Sequence, residues 1–220
     1  NPLLAPGGLK KIKKIEKNTS VKVRSICADY FMEAPIHSND IIVVDKSIRV
    51  LERLIVNASL LGVSDIVIPC VDKSSLEHKN YLNNFVTNIK LITSVAESKN
   101  INLCLETDLA PSKFANLLDK INSNNVTVNY DIGNSAAKGF DPIEEFNAYG
   151  KKITDLHVKD RLFGKGPVIL GKGDANIPKV LELLSKINYQ GIIIFQAFRD
   201  DEGVEIFKSQ FEWFKKQINI

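Results

Sequence analysis

The chain has 220 residues, 44% of them hydrophobic and 25% charged, which suits one well-filled core and is too little for two ordinary domains. Its 12 glycines, 8 prolines and 8% aromatic residues exclude a disordered, collagen-like or low-complexity chain. Twenty-nine Lys and Arg against 26 Asp and Glu give a net charge of +3, which neither demands nor forbids a polyanionic partner.

The first pattern is helical. Over 7–19, Ile12 and Ile15 recur among Lys10, Lys11, Lys13, Lys14 and Lys17, which predicts an amphipathic helix with a basic, solvent-facing side. The stretch lacks the aromatic interleaving of a nucleic-acid surface, so no nucleic-acid partner is expected. Six short runs rich in β-branched and aliphatic residues follow, at 21–29, 65–70, 101–108, 126–131, 153–160 and 190–196. Their interiors are apolar almost throughout, as in parallel strands covered by helices. Between and after them lie helix patterns at 47–61, 80–98, 111–121, 141–149, 177–187 and 203–217. Asp108 before Pro111, Asp141 before Pro142 and Asn176 before Pro178 mark helix starts. No run reaches the roughly 18 apolar residues of a membrane span. Cys27, Cys70 and Cys104 sit singly in apolar runs, which points to buried fillers in a reducing, cytoplasmic setting.

Alternating strands and helices predict a parallel α/β fold with right-handed crossovers. Neither GxGxxG after the first strand nor GxxxxGK[ST] occurs, so dinucleotide and P-loop readings lack their mechanism. Instead, polar residues end the apolar runs. Glu106, Asp131 and His157 follow at intervals of 25 and 26 residues, and Gln196 comes 39 residues later. In a (β/α)8 TIM barrel such strand ends meet at one mouth. Six strands are two short of eight, and the 7–19 helix stands where a helix after an absent strand belongs. The expectation is a single barrel domain over 1–220, incomplete or reduced, with an initial β-α-β portion missing and its open edge available to a second copy.

Two carboxylates and one imidazole suit a divalent cation such as Mn²⁺, Co²⁺, Mg²⁺ or Zn²⁺, to which Gln196 can add a carbonyl oxygen. The competing reading is that Glu106 and Asp131 cap following helices. The loop 157-HVKDRLFGKGPVILGKGD-174 supplies Lys159, Arg161, Lys165 and Lys172 with backbone N–H groups around Gly171 and Gly173 for an anion. Asp160 in that loop is a candidate to orient His157 or to pair with Arg161. Arg199 and His37 border the same mouth, His78 reads as a surface or helix-start residue, and Phe207, Phe211, Trp213 and Phe214 read as the buried stripe of the last helix.

Taken together, 25-SICADYFMEAP-35, 103-LCLETD-108, 130-YDIGN-134, 157-HVKD-160, 169-ILGKGD-174 and 190-QGIIIF-195 resemble the sugar-phosphate isomerases and epimerases of the xylose-isomerase-like barrels, particularly hexulose-phosphate and pentulose-phosphate epimerases. The resemblance implies metal ligation by Glu106, Asp131 and His157, proton transfer at Glu106, and a sugar or sugar-phosphate substrate handled through an enediolate. Relatives carry a glutamate where this chain has Gln196 and often a histidine where it has Asn134. Gln196 can bind through its oxygen but cannot shuttle a proton, so a catalytically impaired, metabolite-binding relative is the alternative. Apurinic-site endonucleases share the superfamily, but three histidines fall short of their three-metal cluster.

Overall fold

The computed structural model describes residues 2–198 and 203–218. The chain divides into two compact units, one of Asn1–Leu109 with Asn116–Thr127, the other of Ala110–Ala115 with Val128–Ile220. Among the described residues, the strands at 25–27, 65–70, 102–107, 126–131, 153–158 and 192–195 form one six-stranded sheet in that order. This is the strand-then-helix alternation expected of a TIM barrel.

The first unit opens with α1 (Gly8–Thr19), β1 (Ser25–Cys27), a short α2 (Tyr30–Glu33) and α3 (Ile41–Leu61), then β2 (Asp65–Cys70), α4 (Lys79–Lys99) and β3 (Asn102–Thr107). Parallel pairing sets Cys27 beside Val67 and runs β2 against β3 from Asp65–Asn102 to Cys70–Thr107. All of β2 is buried, which accounts for the apolar run over 66–70 that follows Asp65. The α3 helix starts six residues earlier than its periodicity predicts, because the Asp40 carboxylate accepts the Ile42 N–H at 2.8 Å. It stops at Gly62, whose φ of 75° is the left-handed conformation that closes a helix without a Cβ clash.

Two expectations for this unit need correcting. In α1, Ile15 is 50% exposed while Glu16 is buried, because the Glu16 carboxylate accepts the Val23 N–H at 2.9 Å and pairs with Lys22. Cys27 is exposed rather than a core filler, and its thiol donates to Asp29 Oδ1.

Next in chain order come α5 (Pro111–Ile121) and β4 (Val126–Asp131), whose residues fall partly in each unit. The second unit continues with α6 (Ile132–Lys138), α7 (Pro142–Tyr149), β5 (Ile153–Val158), the β6 (Asp160–Arg161) and β7 (Pro167–Val168) hairpin, α8 (Ile177–Lys186), β8 (Ile192–Phe195) and α9 (Val204–Gln217). Asp131 lies beside His157 in the β4–β5 register, and His157 beside Ile194 in β5–β8. Two of the three predicted helix starts show their caps: Asp141 accepts from Ile143 N–H and Asn176 from Lys179 N–H, each ahead of a first-turn proline that gives up no needed donor. Of the aromatic stripe on α9, Phe214 is buried while Phe207 and Phe211 stay 40% exposed. All three rings pack around Phe195 with centroids 5.2–5.6 Å away.

Candidate metal centre

Parallel strands deliver the ligand-type residues at their C-terminal ends. Glu106 is the fifth residue of β3, in register with Pro69. Asp131 closes β4, and His157 is the fifth residue of β5. All three are buried, at 6%, 4% and 2% exposure. Each offers a ligand atom, and these atoms lie within 4.8 Å of one another. Burying two carboxylates and an imidazole so close together is costly unless a cation balances them.

Asp131 performs two tasks. Its Oδ1 accepts the Asn134 N–H at 2.8 Å, capping α6, so the capping and ligand readings hold together. Its Oδ2 is buried and, among the described residues, has ion-pair neighbours but no well-aligned hydrogen-bond donor. That oxygen lies 3.9 Å from His157 Nδ1 and 2.7 Å from Lys159 Nζ. An oxygen so placed, among a carboxylate and imidazole donor set, fits a divalent metal. His157 Nδ1 is also 3.1 Å from the Asn129 amide nitrogen, a contact that orients the ring.

Beside this cluster, Lys159 and Gln196 line a cavity of about 750 Å³ with Pro167, Phe195, Ala197 and Phe207. Gln196 follows β8 directly and its N–H donates to Val158 carbonyl at 3.0 Å. Arg161 and Asn134 are tied to each other, Nη1 to Oδ1 at 2.8 Å, while Arg161 Nε and Nη2 donate to the Lys165 carbonyl. Lys172 is exposed. Arg199 lies outside the described residues. His37 is buried, 5.2 Å from the Tyr81 ring and 6.1 Å from Phe85, and burial lowers its pKa to about 4. His78 is exposed and precedes α4.

Asp160 neither orients His157 nor pairs with Arg161. Its wholly buried carboxylate accepts the N–H groups of Gly171 and Gly173 through Oδ2, at 2.8 and 2.9 Å, and of Ala175 through Oδ1 at 3.1 Å. The backbone donors expected to hold an external anion are thus held by an internal one. Gly171 sits at φ 78° with the Trp213 ring 2.5 Å from where a Cβ would stand, and a Cβ on Gly173 would strike the Asp160 carboxylate. In the sequence this loop stands out by its lysines and glycines, while nothing there marks Asp160 as its anchor.

Two further polar residues were not foreseen. Glu145, buried on α7, receives hydroxyls from Tyr130, Ser135 and Tyr149 at 2.7, 2.5 and 2.7 Å, and burial pushes its carboxyl above the usual range. Gln210, buried on α9, accepts from Leu170 and Phe198 N–H and donates to the Phe198 carbonyl. Cys70 is no nucleophile: burial first, then the charges of Asp108 and Glu106, raise its thiol far above neutrality.

Comparison with known proteins places these residues in a family. The chain is 25% identical over 171 residues to a 2-epi-5-epi-valiolone 7-phosphate 2-epimerase of Actinoplanes sp., covering 76% of this chain and 63% of that protein; it therefore spans less than two thirds of that relative. Over 219 residues it is 26% identical to SgbU of Haemophilus influenzae, provisionally named an L-ribulose-5-phosphate 3-epimerase, covering 91% of this chain and 75% of the relative. The crystal structure of a D-tagatose 3-epimerase-like protein superposes with a TM-score of 0.81 at 20% identity, over 98% of this chain and 84% of the other. Residues 2–217 match the profile of the xylose isomerase-like TIM barrel, and the chain belongs to that family.

Proposed function

We propose that the protein is a divalent-metal-dependent isomerase or epimerase that moves a proton on a keto-sugar or sugar phosphate through an enediolate. The observation that carries this reading is the buried Glu106, Asp131 and His157 cluster with its ligand atoms within 4.8 Å. The epimerase names of the sequence relatives support the reaction class. When bound, a divalent cation supplies Lewis-acid polarisation of a substrate carbonyl or hydroxyl.

In this proposal Asp131, His157 and Glu106 hold the cation, and Glu106 is the carboxylate that takes the proton from the carbon next to the carbonyl. Gln196 faces the cavity and offers an oxygen to the cation or an amide to a substrate hydroxyl, but no proton. Lys159 gives charge to the cavity wall, Arg161 and Asn134 act as a bonded pair, and Lys172, Arg199 and His37 are proposed as further substrate-binding residues. We further propose a reducing, cytoplasmic setting and a homo-oligomer in solution; among the described residues no helix is long and apolar enough to cross a membrane.

The test is NMR of a panel of keto-sugars and their phosphates in deuterated water, with and without Mn²⁺, Co²⁺, Mg²⁺ or Zn²⁺. Epimerised or isomerised product formed only with metal is expected. A Gln at position 196 favours one second reading, a relative that binds the sugar without turning it over. Metal-dependent ligand binding with neither deuterium uptake nor product would select that reading, and absence of any metal binding would remove both.

A further inference from the structure

Lys159 faces two surroundings at once. Its Nζ lies 2.7 Å from Asp131 Oδ2, while the side chain keeps 20% of its surface exposed and lines the cavity that Gln196 also borders. The stem crosses α6 at Gly133, where a Cβ would come within 3.0 Å of Lys159 Cγ and 3.1 Å of its carbonyl. The glycine leaves the lysine room to lie there.

Asp131 commits Oδ1 to the α6 cap, so a cation bound by Asp131 is directed to Oδ2. The Lys159 ammonium already lies against that oxygen, 2.7 Å away. A divalent cation and an ammonium cannot both sit against one buried oxygen without strong repulsion at low local dielectric.

We propose that Lys159 is a displaceable counter-ion of the metal centre: a divalent cation takes Asp131 Oδ2 from the ammonium, which moves into the cavity and there receives an anionic oxygen of the substrate. The inference rests on the metal reading given above. The exchange makes and breaks no covalent bond and transfers no proton. It couples two ligands through one side chain. Metal frees the ammonium that an anion uses, and by linkage each ligand tightens the other by the same factor.

The experiment is calorimetric titration of the full chain with Mg²⁺, then with inorganic phosphate in the presence and absence of Mg²⁺, for the wild type and for Lys159→Met, Lys159→Gln and Lys159→Arg. The two neutral variants are expected to bind Mg²⁺ about tenfold tighter than wild type, and the Arg variant about as wild type does. Phosphate is expected to bind the wild type several-fold tighter with Mg²⁺ than without, and the neutral variants to lose that gain. A rise in metal affinity cannot come from a damaged fold, so it separates this role from a merely structural one. Neutral variants that bind Mg²⁺ no tighter than wild type would overturn the inference while leaving the metal centre standing. Equal phosphate affinity of the wild type with and without Mg²⁺ would do so without recourse to any variant. A wild type that binds no divalent cation at all would remove the metal reading itself.

Discussion

Asp131 accepts the Asn134 N–H at 2.8 Å through Oδ1, and that bond leaves Oδ2 as the oxygen turned toward His157 and Lys159. One side chain thus starts a helix and supplies a buried ligand atom.

These two tasks separate by mutation. Asparagine caps a helix as well as aspartate does, so Asp131→Asn is expected to melt within a few degrees of wild type yet bind divalent metal about 100-fold more weakly, since it loses an anionic ligand. Asp131→Ala should lose the metal equally and cost about 1 kcal/mol more through the missing cap. Calorimetric metal titration beside thermal unfolding checks both.

Gln196 borders the cavity with an amide where a carboxylate could exchange protons. Gln196→Glu is expected to raise metal-dependent epimerisation by about 100-fold or more, the usual scale of a well-placed acid or base. Equal rates for the two proteins, measured by NMR on the same substrate, would show that position 196 does not deliver a proton.

Asp160, itself wholly buried, gathers three backbone N–H groups. Asp160→Ala leaves those donors unpaired and is expected to cost about 3 kcal/mol or more, with Asp160→Asn losing less because one acceptor oxygen remains. Urea denaturation gives the energies. Limited proteolysis should cut the variant first within 161–175, where the wild type resists.

His37 is held neutral by burial, with its pKa lowered from 6.5 to about 4. Below pH 6.5 the unfolded chain takes up a proton that the folded chain refuses, so this contribution is complete above pH 6.5 and is lost as pH falls toward 4. The expected loss is about 3 kcal/mol over that window. His37→Phe should lack this share of the acid slope, which denaturant titrations at pH 7.5, 5.5 and 4.5 would reveal as a narrowing gap between variant and wild type.

How far the sequence discloses this molecule depends on where each residue's partners lie. The β2 and β4 strands are legible to the residue, because both are buried at every position and so draw mostly on β-branched and aliphatic side chains. The metal cluster is legible for the same reason: Glu106, Asp131 and His157 each interrupt such a run near its C-terminus. The start of α3 is obscured because Ile41 and Ile42, exposed at 67% and 74%, break the periodicity. The α6 helix is hidden because Gly133, Asn134 and Ser135 are poor helix formers, and it forms on the Asp131 cap. Asp160 is misread because its partners are backbone groups 11 to 15 residues further along. Lys159 reads as an anion ligand. That it reaches back to Asp131 depends on the strand register, which no local pattern displays.

Gln210 and Trp213 give α9 a role beyond covering the strands. Gln210 clasps Phe198, two residues beyond Gln196, and also Leu170. Trp213 packs against Gly171 on the loop that Asp160 organises. Phe198 and the glycine loop are therefore fastened to a single rod. A shift of α9 would be felt at both, whereas the β6–β7 hairpin tip is anchored separately, its Gly164 N–H donating to the Ala137 carbonyl at 2.8 Å.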